Sequence, residues 1–403
     1  MTENPSRIRN RYRFEFGRDV LGPVFYEFCH RLHLLVGRRH EETAILLFMS
    51  RAGIRLRRLY QAYLLSQKIP VCKTSYRDFY ISRLSCARAC MPHNPEYVSR
   101  VIISEYLSFS LGELVRRVFD TDLPKPLGTA RVSVDSLLEV YHSPRDYGQR
   151  IRENTGHQSS LLRKYLSTVT QSRKNIVLVD SGWHGTTQSM LTRSFKDYSW
   201  FGFYFGLRGK SGAGLDHASF KVGLAVDDRH HSPLCPRFCI FDYYHLIESV
   251  LEPDVPSVNR YVETEGLVRS DVECLEVSER VLWGDDMFMG VTEYFKRPAG
   301  VDSGTIDAAA TRAYRRLNRL VYFPDRVAAT TMQVNDRAAD FGKPGICPIV
   351  SRVDWMSAGT LRQQRRLIRK SLWKPAQIAV MYPAPLSRIL QLLFYFYRKC
   401  FPR

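Results

Sequence analysis

The stretch from Asn175 to Leu191, NIVLVDSGWHGTTQSML, limits the possible folds more than any other part of the chain. Ile176 to Val179 is a short β-branched and aliphatic run of strand length. It leads into an acid, a small-residue turn and a hydroxyl-rich helix start. Gly182 and Gly185 permit positive φ and close backbone approach, while Thr186, Thr187 and Gln188 present hydroxyls and amides where a helix dipole begins. Such a turn suits a phosphate. Asp180, at the carboxyl end of a buried strand, stands where doubly wound sheets put ligand-contacting residues. The same letters also fit an ordinary βα turn with a satisfied Asp cap.

A second unit of this kind lies upstream. Val20 to Val36 carries the apolar stripe of a helix, with Pro23 in its first turn, and Ala44 to Met49 is a continuous apolar run. Ser50, Arg51, Ala52 and Gly53 follow, then a helix from Ile54 to Leu64. That loop can hold a phosphate or carboxylate; an arginine paired at the sheet edge is the plainer alternative. Tyr76 to Ser82 reads as a third strand with Arg83 at its end. Pro95 to Gln171 is mostly helical, broken at Thr121 to Thr129, and reads as an insertion able to roof a site. Further on, Trp200 to Leu207 and Phe220 to Val226 read as strands. Phe241 to Val250 reads as a helix bearing Glu248, and Glu265 to Phe295 and Thr311 to Leu320 as helices. Gly209 to Gly214, GKSGAG, is a flexible turn and not a nucleotide P-loop, because the required first glycine would fall at Tyr204. The fold class expected is α/β, with a doubly wound, mainly parallel sheet in residues 1–300, a helical insertion at about 95–171 and a helical extension over 301–360.

The formal charge of +19 calls for an acidic partner. Between Trp355 and Arg403 there are ten Lys or Arg and no Asp or Glu, so that stretch holds +10 and the rest of the chain +9. Within residues 361–403 a basic segment, from Arg362 to Lys374, precedes the nearly wholly apolar run Leu386 to Tyr397. The apolar run is shorter than the roughly twenty residues that a bilayer span needs. A tail lying in an anionic membrane surface is the reading adopted; docking on the protein's own core and a nucleic-acid patch are the alternatives, nucleic acid being the weakest. Nine scattered cysteines, and charge throughout Met1 to Arg18 in place of a signal peptide, point to a reduced, cytoplasmic chain, peripheral at the inner membrane face. Cys86 and Cys90, like Cys235 and Cys239, lie four apart near His93, His230, His231 and His245. Neither pair has zinc-finger spacing, and buried free thiols are expected.

The order of these parts resembles the type I phosphoribosyltransferase fold. By that resemblance Ser50 to Gly53 would hold the pyrophosphate of phosphoribosyl pyrophosphate, with Arg83 beside it. Asp180, Ser181, Gly182, Trp183, His184, Gly185, Thr186, Thr187 and Gln188 would hold the ribose hydroxyls and 5′-phosphate. Over roughly Tyr12 to Glu276, the runs RYRFEFGRDVLGPVFYEF, LLFMSRAG, FYISRLS, VLVDSGWHGTTQ and IESVLEPDVPSVNRY resemble a family of bacterial polysaccharide-assembly proteins. Their module is similar to ribofuranosyltransferases whose phosphoribosyl product is trimmed by an attached haloacid-dehalogenase-like phosphatase. Three positions depart from the pattern. Ser181 stands where a second acid is usual, Ala52 stands where relatives carry an acid, and Val118, two residues before Asp120 of the FDTDL run, stands where the phosphatase nucleophile would be. Any trimming would fall to a separate phosphatase.

The resemblance implies displacement of pyrophosphate at the anomeric carbon by a sugar hydroxyl of a lipid-linked or polysaccharide acceptor. Mg²⁺, Arg51, Arg83 and backbone amides would stabilise the leaving group. Asp180 would clamp the ribose hydroxyls, with Glu248 or His184 as the base. A helix-surface glutamate and a structural histidine are the plainer roles for those two. A nucleobase phosphoribosyltransferase and a noncatalytic scaffold derived from such an enzyme are the competing functions.

Overall fold

The structure, a computed structural model, describes residues 5–37, 44–70, 76–209, 220–230, 232, 234–275, 278–297, 300–332, 334, 337–338, 346–347, 349–351, 353 and 357–401. Its centre is a five-stranded sheet in the order β2-β1-β3-β4-β5, with every neighbouring pair parallel. The strands are β1 (Ala44–Met49), β2 (Tyr76–Phe79), β3 (Asn175–Trp183), β4 (Ser199–Leu207) and β5 (Phe220–Asp227).

Strand alternation divides the apolar residues between two cores. Leu46 and Phe48 of β1 and Val177 and Val179 of β3 point into one, which also takes in helices Gly22–Gly37, Ala52–Ser66, Tyr244–Leu251 and Ser303–Tyr322. Ile45 and Leu47, with Ile176 and Leu178, point into the other, beside helices Arg83–Cys90, Pro95–Tyr106, Leu111–Phe119, Asp146–Thr170 and Thr186–Ser194. Burying each such side chain stabilises by about 1.5–3 kcal/mol, so strands apolar on both faces fold only as the middle layer of three.

The helix after β1 packs on one face and the helix after β3 on the other. β1 and β3 are neighbours, so the chain diverges between their carboxyl ends and leaves a crevice there, the switch point of a doubly wound sheet.

Several expectations need correction. The third strand ends at Phe79, and Arg83 opens a helix whose capping box is made by Ser82 and Ser85. Glu265 to Phe295 is not one helical region. Tyr261–Thr264 and Leu267–Ser270 form an antiparallel hairpin, because Glu265 and Gly266 both take positive φ, the two-residue turn that suits strand twist. Helices resume at Glu279–Trp283 and Asp286–Tyr294. The 95–171 helices form the second helical layer and reach the crevice through Glu105. Positions 210–214 of the GKSGAG turn, and His231, lie outside the described residues. Cys86 and Cys90 are buried thiols with sulfurs 3.7 Å apart. Among the described residues no helix is long and apolar enough to cross a membrane.

Candidate active site

A cavity of about 530 Å³ opens at the switch point. Ser50, Arg51 and Ala52 line it from the end of β1, and Arg83 from the start of its helix. Asp180 through Thr187 line it from the end of β3 and the following turn, and Glu248 from helix Tyr244–Leu251. Loops distant in sequence thus meet in one place.

The β1 loop is fixed by its neighbour strand. Ser50 N donates to Phe79 O at 2.9 Å, and the Ser50 hydroxyl exchanges bonds with the Ile81 backbone at 3.3 Å. Gly53 does not line the cavity. A Cβ there would lie 2.5 Å from the Phe48 carbonyl carbon, so glycine is what lets the helix start close against β1. Arg51 Nη2 pairs with Glu252 Oε2 at 2.9 Å, and Arg83 Nη1 with Glu105 Oε1 at 2.9 Å. The Ser50–Arg51 and Gly182–Trp183 peptides are cis.

The turn after β3 is set by two glycines. Gly182 has φ +121°, and a Cβ on it would come 1.9 Å from Gly206 O of β4. Gly185, at φ +59°, caps helix Thr186–Ser194 and turns the hydroxyl-bearing first turn toward the cavity. The first amides of a helix lack partners within it, so this end is electropositive. Gln188 does not reach the cavity. It is buried, accepting from Tyr204 Oη at 2.8 Å and donating to Trp200 O and Phe220 O, which makes it a brace between strands.

Acidic groups converge between the β1 and β3 loops. Asp180, partly exposed at the cavity floor, has its carboxyl pushed up to about 8. Burial is the main cause, Glu252 and Glu248 add repulsion, and hydrogen bonds from the Ser181 and Gly182 backbone oppose it. Trp183 Nε1 donates to Glu248 Oε1 at 2.9 Å, and His245 Nδ1 lies 3.3 Å from Glu248 Oε2. Buried Arg55 anchors the wall that carries Glu248, donating to Val250 O at 2.7 Å and to Val281 O and Leu282 O.

Glu252, Glu105, Arg208, Tyr244, His245 and Leu372 also line the cavity and were not anticipated as site residues. Glu252 lies four residues after Glu248, and Arg208 just past the carboxyl end of β4, so both had a local signal. Glu105 and Leu372 had none. No family model matches the chain, and no curated protein matches its sequence significantly.

A basic loop and a hydroxyl-bearing helix start flank a carboxylate in this one cavity. Glu248 and Tyr244 line a third wall.

Proposed function

We propose that this protein transfers a (phospho)ribofuranosyl group from phosphoribosyl pyrophosphate to a hydroxyl of a lipid-linked or polysaccharide acceptor, releasing pyrophosphate, on a sheet of phosphoribosyltransferase type. The observation that carries the reading is the meeting of the Ser50–Ala52 loop and the Asp180–Thr187 loop in one switch-point cavity. In this reading Ser50, Arg51 and Arg83 bind the pyrophosphate. Thr186, Thr187 and the helix-start amides bind the 5′-phosphate, and Asp180 binds the ribose hydroxyls. The bond from the anomeric carbon to pyrophosphate oxygen breaks as the bond to acceptor oxygen forms. The acceptor's proton passes to Glu248, which Trp183 orients, with His184 as the alternative base.

Among the described residues no group of three or more His, Cys, Asp or Glu could hold a metal ion. In this reading Mg²⁺ enters on the pyrophosphate and keeps part of its water shell. It would add charge neutralisation to that of the arginines.

A noncatalytic scaffold is the second reading. It is favoured by Ala52 and Ser181 at positions where acids are usual, and by Arg51 and Arg83 already facing Glu252 and Glu105. A nucleobase phosphoribosyltransferase would share the donor site, and acceptor screening separates it. The primary test is calorimetric titration with phosphoribosyl pyrophosphate and Mg²⁺, beside pyrophosphate and ribose 5-phosphate alone. Binding of the whole donor more tightly than either half supports the proposal; no binding by folded protein supports the scaffold.

A further inference from the structure

Helix Ala384–Cys400 is reversed relative to an ordinary surface helix. Its inward face carries Ser387, Gln391 and Arg398, all buried, with Phe394 and Tyr395 partly buried. Its outward face carries Leu386, Ile389, Leu393, Phe396 and Tyr397, with Ile389, Leu393 and Phe396 exposed at 56%, 62% and 60%. The spacing is that of one helical stripe, but the apolar stripe faces outward.

The inward polar groups are matched, so this orientation is specified. Gln391 donates to Pro324 O at 2.8 Å and Pro375 O at 3.1 Å, and Arg398 pairs with Asp242 at 2.5 Å. Rotating the helix to bury its leucines would strip those bonds and put a guanidinium in place of Ile389 and Leu393. The run Leu386 to Tyr397 is therefore held against the protein by its polar side, and the self-docking alternative accounts for only half the helix.

Helix Leu361–Lys370, linked to this region by the Tyr382 hydroxyl donating to Gln364 Oε1 at 2.8 Å, exposes Arg362, Arg365, Arg366, Arg369 and Lys370. An exposed apolar stripe and an exposed basic helix, both packed on the intervening helix Lys374–Met381, are the combination that lies in a lipid–water interface. A second copy would bring its own exposed Arg362, Arg365, Arg366, Arg369 and Lys370 to the same surface, and like charge opposes that pairing.

We propose that the outer face of helix Ala384–Cys400, with the basic ridge of helix Leu361–Lys370, seats the protein on the surface of an anionic bilayer. The apolar stripe enters the headgroup region and the arginines contact lipid phosphates. This surface is independent of the donor-site reading, because its test uses neither donor nor acceptor.

The experiment is vesicle co-sedimentation of the full chain. Vesicles are phosphatidylcholine alone or with about 30% phosphatidylglycerol, at low and high salt. One variant combines Ile389→Ser, Leu393→Ser and Phe396→Ser; the other combines Arg365→Gln, Arg366→Gln and Arg369→Gln. These side chains are exposed, so thermal melts should match wild type. Wild type should partition onto anionic vesicles at least about tenfold better than onto neutral ones, and each variant should lose about tenfold. The proposal is overturned if folded wild type does not bind anionic vesicles, or if neither variant changes binding. It is also overturned if gel filtration shows a dimer that the apolar variant abolishes and vesicles do not compete with.

Discussion

Asp180→Asn should make the protein more stable above mildly acidic pH while impairing donor binding. The wild-type carboxyl rises from 3.8 to about 8, chiefly through burial. Below pH 3.8 it is protonated in both folded and unfolded chains and costs nothing. As pH rises from about 4 to about 8 the unfolded chain ionises and the folded one does not, so stability falls across that window. Above the folded-state value the loss is complete. At 1.36 kcal/mol for each tenfold change in the protonation equilibrium, the ceiling is about 6 kcal/mol. Asn still accepts from the Ser181 and Gly182 amides but carries its own dehydration cost, so a net gain of about 1–3 kcal/mol at pH 8, shrinking toward zero near pH 4.5, is expected. Urea unfolding of both proteins from pH 4.5 to 8.5 measures this. A destabilised variant, or a difference that does not grow with pH, would refute the reasoning. In the same samples phosphoribosyl pyrophosphate affinity should fall about tenfold to a hundredfold, as expected for losing charge-assisted bonds to two hydroxyls. Stability and binding moving in opposite directions is the signature of a strained functional group, which a structural cap would not give.

Wild-type affinity for phosphoribosyl pyrophosphate should rise between pH 6.5 and 8 as Asp180 ionises, with a flatter profile in Asp180→Asn; parallel profiles would assign the pH dependence elsewhere. Glu252→Gln removes the carboxylate paired with Arg51 and should raise pyrophosphate affinity about threefold to tenfold by calorimetry, whereas Arg51→Ala should lower it. Unchanged affinity in both would make that pair structural. Gly182→Ala, at φ +121° with Gly206 O 1.9 Å from the new Cβ, should cost at least about 3 kcal/mol in denaturant unfolding; an unchanged midpoint would show that the β3–β4 junction can relax.

The strands that build the crevice were legible because each is apolar at every position. Ala44–Met49 and Ile176–Val179 have no polar face to present to water, and the loops beyond them carry the residue types that strand ends expose. The hairpin Tyr261–Ser270 was missed for the opposite reason. Its strands are four residues long and partly exposed, and the Glu265–Gly266 turn gives a weaker signal than Asn-Gly. Gln188 was drawn to the phosphate by its place at a helix start. The side chain turns to the Tyr204 hydroxyl instead, a partner set by the β4 register. Glu105 lines the cavity paired with Arg83 of another helix, a tertiary fact with no local pattern. The apolar composition of Leu386 to Tyr397 was plain; its outward orientation depends on Asp242 and Pro324, far away in sequence.

The tail's attachments tie the proposed membrane face to the proposed site. Arg398 pairs with Asp242, and Trp373 stacks on Tyr243 with ring centroids 4.2 Å apart. Asp242 and Tyr243 immediately precede helix Tyr244–Leu251, which carries Tyr244, His245 and Glu248 into the cavity, and Leu372 lines the cavity itself. A bound bilayer would therefore load a segment joined to the wall assigned to the acceptor, and not to the Ser50–Ala52 or Asp180–Thr187 loops assigned to the donor. A water-soluble nucleobase acceptor would gain nothing from this arrangement. An acceptor held in the bilayer by a lipid would be confined to the surface on which the protein sits, and that confinement raises its effective concentration. If both proposals hold, the lipid-linked acceptor is the one this arrangement serves, a discrimination that the donor cavity alone does not supply.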